Sequence, residues 1–251
     1  MALLEIAGLT RSFYGVHAVR GADFSVNAGT VTALIGPNGA GKTTAFQCIS
    51  GVIAPDGGRV SFAGRDITGW TADRITRAGL TRSFQIARGI SRISVLDNLM
   101  LYAPDQPGEG VLSALSGTGA AREAEILDRA IGIARRLNLL AVANNPAGAL
   151  SGGQKKLLEL GRALMAEPKM ILLDEPIAGV NPSLAETIAE HIASLRDDGM
   201  TFLVIEHHMD LIAKLCDPVI VMAEGRVLAE GSFAAIADNQ AVRDAYLGAR
   251  R

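Results

Sequence analysis

Residues 36 to 43 read Gly36-Pro37-Asn38-Gly39-Ala40-Gly41-Lys42-Thr43, the pattern G-x-x-x-x-G-K-[ST]. The chemistry such a segment serves is the binding of a polyphosphate. Its glycines let the loop curl so that successive backbone N–H groups point inward at an anion. A helix beginning near Lys42 adds the positive end of its dipole. Lys42 brings a full charge to the β and γ phosphates, and the Thr43 hydroxyl is placed to ligate Mg2+. A glycine turn can precede a helix by chance. Here the loop also follows an apolar run, residues 30–35, and opens a helical stretch, which is the context the pattern requires. The segment implies a nucleoside triphosphate site and leaves open which of many phosphate-loop families holds it.

A second constellation is Met170-Ile171-Leu172-Leu173-Asp174-Glu175, an apolar strand ending in two carboxylates. In a doubly wound sheet, ligands bind at the carboxyl ends of strands. Asp174 is therefore expected near the phosphates, holding Mg2+ directly or through water. Glu175 is the adjacent candidate to polarise an attacking water, a task worth on the order of 10² to 10⁴ in rate. Without the phosphate loop upstream, two acids capping a strand in solvent would serve as well. A third candidate follows the strand Phe202-Leu203-Val204-Ile205-Glu206: His207, with His208 next to it. Either histidine can reach a γ-phosphate from the end of a neighbouring strand, and either can be a solvated loop histidine.

The elements that must position these groups are legible around them. Residues 3–7, 22–26 and 30–35 read as strands separated by turn residues such as Asn27-Ala28-Gly29. A helix is expected over about 42–50, with Gly51 as its stop, and a strand over 59–62. From about 94 to 166 the pattern is helical, interrupted by a Gly-, Ser-, Pro- and Ala-rich loop at 104–121. Ile126, Ala130, Ile133, Ala134 and Leu137 lie on one face of a helix in this block. The last third returns to strand–helix alternation. Strands are expected at 170–173, 201–205 and 218–223. The helix between the first two starts at Pro182 with Asn181 as cap and Leu184, Ile188, Ile192 and Leu195 as its stripe. Alternating units of this kind imply a mostly parallel sheet with helices on both faces.

Composition sets the outer bounds. The chain has 251 residues, 49% of them hydrophobic and 4% aromatic, so its core is expected to be large and aliphatic. A formal net charge of −2 does not suggest a nucleic-acid binder. Cys48 and Cys216 fit no metal spacing and are expected to be buried, reduced thiols. The N-terminus lacks the layout of a signal peptide, and no uninterrupted apolar run approaches the ~18 residues of a membrane span. Action at a membrane would then require a partner.

Leu150-Ser151-Gly152-Gly153-Gln154 narrows the phosphate-loop class. At a helix start, Ser151 can act as N-cap or phosphate donor, and the two glycines let backbone N–H groups approach an anion. Placed about twenty residues before Asp174, the segment resembles the signature motif of the ATP-binding cassette (ABC) family. The resemblance covers essentially the whole chain. It implies an α/β fold of the phosphate-loop ABC ATPase type, with an antiparallel β subdomain and an inserted helical subdomain. A nucleotide-binding core would take residues 1–85 and 167–251, and the helical subdomain 86–166. It further implies ATP and Mg2+ as ligands. Thr44 joins Gly36 to Thr43 in the nucleotide cradle, and Gln85, within Arg82-Ser83-Phe84-Gln85, senses Mg2+ and the attacking water. His207 matches the family's switch histidine. Phe13 matches the aromatic that stacks on adenine, with Tyr14 as the alternative. Two such chains would form a head-to-tail dimer, each ATP lying between one phosphate loop and Ser151-Gly152-Gly153-Gln154 of the other. Asn181 departs from the family pattern, where many members carry Asp; the shape is kept and the charge is lost.

Within the family, Ile177-Ala178-Gly179-Val180-Asn181-Pro182, Ile205-Glu206-His207-His208-Met209 and Ala245-Tyr246-Leu247-Gly248 are similar to the ATPase subunits of branched-chain amino acid importers. That implies transmembrane permease partners, a second cassette of the same or a different kind, an indirect link to a substrate-binding protein, and a place on the inner face of the cell membrane. The alternatives are the ATPase of another transporter, such as urea or amide uptake or lipopolysaccharide export, and a non-transport ABC ATPase. Among the latter, chromosome types carry very long coiled coils and translation types carry two cassettes in one chain, and this chain has neither.

Overall fold

The computed structural model describes residues 1–83, 90–106 and 119–248. The chain divides into two compact units. The core unit takes Met1–Arg82, Lys169–Ala178 and Ala185–Arg251; the helical unit takes Ser83–Pro168 and Gly179–Leu184.

The core unit holds two sheets. The first is antiparallel, in the order β2 (Val16–Asn27), β1 (Ala2–Phe13), β4 (Gly57–Phe62), β5 (Arg65–Asp66). The second runs β10 (Arg226–Gly231), β9 (Val219–Ala223), β3 (Val31–Ile35), β8 (Thr201–Ile205), β7 (Met170–Asp174), β6 (Leu80–Arg82). From β9 to β6 its pairs are parallel, and β10 adds an antiparallel edge. Strands β3, β7 and β8 are buried at every position, which is why they read as unbroken apolar runs. One core cluster draws Leu4 and Phe62 from the first sheet, Leu34, Leu172 and Leu203 from the second, and Phe46 and Ile49 from helix α1 (Lys42–Ile49). The helix that opens on the phosphate loop is thus gripped by both sheets. Burial pushes the Cys48 thiol up to about 11 and the Cys216 thiol to about 12, so both are inert at neutral pH.

Two stretches are more extended than the sequence pattern predicts. The strand expected at 3–7 continues to Phe13, and the one expected at 22–26 begins at Val16. Register shifts after Ile6, Leu9 and Arg11 break the two-residue alternation there. A tight turn at Tyr14 and Gly15, both at positive φ, joins the strands. Strand β10 was missed because its burial alternates only between half-buried and exposed.

In the helical unit, α4 (Gly119–Arg136) and α5 (Gly152–Met165) follow the short α3 (Val95–Met100). Ile126, Ala130, Ala134 and Leu137 are buried as the periodicity predicts, and Ile133 is half-buried. Arg162 of α5 is buried and donates to Asn98 Oδ1 at 2.5 Å, while Asn98 donates to the carbonyls of Ile90, Ile93 and Ser94. Among the described residues no helix is long and apolar enough to cross a membrane.

Candidate functional site

The phosphate loop sits at the carboxyl end of β3, and its conformation depends on glycine. Gly36 has φ +148°, and a Cβ there would stand 2.0 Å from the Met222 carbonyl oxygen. Gly41, the residue before α1, has φ +97° and closes against the Ala18 carbonyl in the same way. The cap of α1 is a left-handed glycine with no side chain to bond the first-turn N–H groups, an arrangement that suits them to an anion. Lys42 is buried and donates to the carbonyls of Gly36 at 2.7 Å and Pro37 at 3.0 Å. The ammonium thus lies folded along its own loop. Burial lowers its pKa, while Glu175 and Asp174 act in the opposite direction, so both carboxylates lie within electrostatic reach of Lys42. Pro37 is half-buried, Ala40 buried, and Asn38 and Gly39 exposed along the loop's outer rim; Thr43 is exposed and Thr44 half-buried.

Asp174 ends β7 and is 4% exposed. Its Oδ2 accepts from Arg82 Nη2 at 2.9 Å. The next residue, Glu175, turns out of the strand at φ +49°, a conformation that costs a non-glycine residue on the order of 1–3 kcal/mol and concentrates at functional positions. Its N–H is held by the Ile205 carbonyl at 2.9 Å. The side chain remains one-third exposed, and its Oε1 lies 3.3 Å from His207 Nε2. The structure also separates the two histidines. His208 precedes α7 (Met209–Leu215) and places Nδ1 3.0 Å from Glu206 Oε1, away from this pair. Glu206 itself is buried, and that burial pushes its carboxyl above the usual range against the lowering influence of His208.

Phe13 ends β1 with about a third of its surface exposed, and the Arg11 guanidinium lies 4.8 Å from its ring centre. Tyr14 stands at the turn tip, fully exposed. Gln85 lies outside the described residues.

In the helical unit, Ser151 and Gln154 form a reciprocal capping box at the start of α5. The Ser151 hydroxyl accepts from the Gln154 N–H at 3.3 Å, and Gln154 Oε1 accepts from the Ser151 N–H at 3.0 Å. The two glycines between them differ. Gly152 is exposed, and a Cβ there would meet nothing within 4 Å. Gly153 is buried, and a Cβ there would strike the Leu184 side chain at 2.1 Å. Leu184 belongs to the first turn of α6 (Pro182–Asp197), which Asn181 caps by accepting from the Leu184 N–H at 2.9 Å.

A sequence profile described as ABC transporter matches residues 19–178, from within β2 through the phosphate loop, the capping box and the two carboxylates. The chain belongs to the ABC transporter family. It is an ATPase of that family, with the α/β cassette fold. A profile described as branched-chain amino acid ATP-binding cassette transporter matches residues 226–251. A probable branched-chain amino acid transport ATP-binding protein, LivG, of Archaeoglobus fulgidus is 40% identical over 250 residues, covering 100% of this chain and 97% of its own. The high-affinity branched-chain amino acid transport ATP-binding protein BraF of Pseudomonas aeruginosa is 38% identical, with 98% of each chain covered. Among solved structures, a nucleotide-free ATP-binding cassette superposes with TM-score 0.86 at 38% identity, covering 98% of this chain and 99% of the other. An ATP-binding cassette in its ADP conformation gives TM-score 0.87 at 38% identity, covering 99% of each.

Two residues of this cassette went unread in the sequence. Arg82, the partner of Asp174, is mostly buried and therefore paired, but both its burial and its partner depend on the pairing of β6 with β7. Tyr246, in helix α9 (Gln240–Gly248), buries a hydroxyl that, among the described residues, has no hydrogen-bond partner in ordinary geometry. Burial raises its pKa and the nearby Gly36 N–H lowers it, which puts it beside the phosphate loop. No local pattern in the sequence marks that approach.

Proposed function

We propose that this ATPase is the motor subunit of an importer of branched-chain amino acids, peripheral on the inner face of the cell membrane. The names of its relatives and the match over residues 226–251 support the cargo class. Its partners would be transmembrane permeases and a second cassette, identical or different, with an indirect link to a substrate-binding protein.

The observation that carries the chemical part is the convergence of Lys42, Asp174 and the Glu175–His207 pair around the carboxyl ends of β3, β7 and β8. The loop from Gly36 to Thr44 cradles the phosphates, and Lys42 exchanges its loop carbonyls for β- and γ-phosphate oxygens. Phe13 offers a ring face to adenine. Asp174 and the Thr43 hydroxyl are hard oxygen donors of the kind Mg2+ takes together with substrate phosphates and water, and Gln85 would complete the set. When bound, Mg2+ neutralises charge developing on the β- and γ-oxygens. Glu175 accepts a proton from water as its oxygen bonds the γ-phosphorus, and the bond to the ADP oxygen breaks in line. His207 holds Glu175 in place and is positioned to donate toward the departing phosphoryl group. Ser151, Gly152, Gly153 and Gln154 of a second cassette would close the site over the γ-phosphate, so ATP shifts the population toward a closed dimer and hydrolysis shifts it back.

The dimer is testable with Glu175→Gln. This variant should bind Mg-ATP and elute as a dimer by light scattering, while wild type without nucleotide is a monomer. A trapped variant that stays monomeric beside wild-type partner cassette as well as alone would remove the sandwich from the account.

A further inference from the structure

The geometry points to Arg82 as the positioning residue of the metal site: its guanidinium holds the Asp174 carboxylate by Oδ2, which would leave Oδ1 to bind the cation or its water. The inference rests on the proposed role of Asp174 as metal aspartate.

The register of the sheet makes the contact possible. Arg82 is the last residue of β6, and its neighbour on β7 is Leu172, two positions before Asp174. Residues two apart on a strand share a face. Arg82 and Asp174 therefore project from the same face, and the arginine reaches forward past the end of its own strand. The result is a pair at 2.9 Å in which the arginine side chain is 13% exposed and the aspartate 3%. An aspartate so buried needs a partner, because an unpaired carboxylate there would be strongly disfavoured. Thr81 beside Arg82 is also buried, and among the described residues its hydroxyl has no partner. Among the described residues, the side-chain ion pair made from β6 goes to the aspartate. After Arg82 the chain leaves the core unit.

Two roles for Arg82 predict opposite signs. A guanidinium acting only as a charge repels a divalent cation, and removing it would tighten metal binding. A guanidinium acting as an orienting partner holds the ligand in register, and removing it weakens metal binding, typically by about 10- to 100-fold. The single contact to Oδ2 supports the second role, since it leaves the other oxygen to a metal or its bound water.

The test is Mn2+ affinity of the full chain with ADP, read from the free-Mn2+ signal by electron paramagnetic resonance. Alongside it, ADP affinity is measured in EDTA. Arg82→Gln should weaken Mn2+ binding about tenfold or more and leave ADP affinity in EDTA unchanged. Arg82→Lys keeps the charge but not the planar fork. It should also weaken Mn2+ binding, and it decides the matter if the glutamine variant does not fold. Mn2+ affinity within about twofold of wild type, or tighter, in the folded variants overturns the proposal. So does an equal loss of ADP affinity in EDTA, which marks a structural role. Asp174→Asn separates the two layers. If it leaves Mn2+ binding intact, the metal role of Asp174 falls and the role of Arg82 with it. If it weakens binding while both Arg82 variants do not, only the role of Arg82 falls.

Discussion

Two helix starts in this molecule carry glycines and face anions in the proposed cycle, and they are built differently. At Gly36–Thr43 the backbone does the work. A left-handed glycine precedes α1, no side chain caps it, and a buried lysine lies along the loop. At Ser151–Gln154 side chains do the work. A serine and a glutamine satisfy each other's backbone, and no cation is buried in the turn. In the proposed cycle the first is preorganised for phosphate before any ligand arrives. The second is capped by its own side chains, and the Ser151 hydroxyl, which accepts within the box, would keep its proton to donate to a phosphate in the proposed cycle. Such a difference suits a primary site that holds ATP and a secondary one that engages only when a second cassette closes.

The largest expected effect is at the first start. Lys42→Ala removes the charge aimed at the phosphates and should weaken ATP binding by at least about 10²-fold, read by fluorescence titration of a labelled nucleotide. Lys155→Ala, in the first turn of α5, should leave binding by the isolated chain unchanged; equal losses would erase the contrast. Next comes the demand for glycine. Gly36→Ala puts a Cβ against the Met222 carbonyl and a strained φ on alanine, which should cost roughly 3 kcal/mol and lower Tm by about 6–12 °C. Gly152→Ala meets open space and should change stability by less than about 0.5 kcal/mol. A comparable drop in both melting curves would show that neither loop is special. Smallest is the capping box. Ser151→Ala should cost about 1 kcal/mol, a Tm shift of about 2–4 °C, with ATP binding to the isolated chain unaffected. An unchanged Tm would mean the cap is not holding the turn.

What could be read in the sequence follows from how much of each signal is local. Strands β3, β7 and β8 are buried on both faces, so five apolar residues in a row announce them, and the phosphate loop and carboxylates hang on their ends. The capping box is a four-residue pattern and equally local. The outer half of β1 was hidden because bulges put Leu9 and Thr10 out of alternation. Arg82 needed the pairing of β6 with β7, and Tyr246 needed the C-terminal helix to return to Gly36; both are separated from their partners by long stretches of chain. The choice between His207 and His208 likewise needed the turn that sends one to Glu175 and the other to Glu206.

The central claim is that Glu175 activates the attacking water at a site whose phosphate cradle is independent of it. Single-turnover hydrolysis of Mg-ATP by Glu175→Gln tests this most directly. The expected rate is at least about 10²-fold below wild type with ATP affinity retained. A rate equal to wild type would remove Glu175 from the chemistry and leave the pair with His207 without a catalytic meaning.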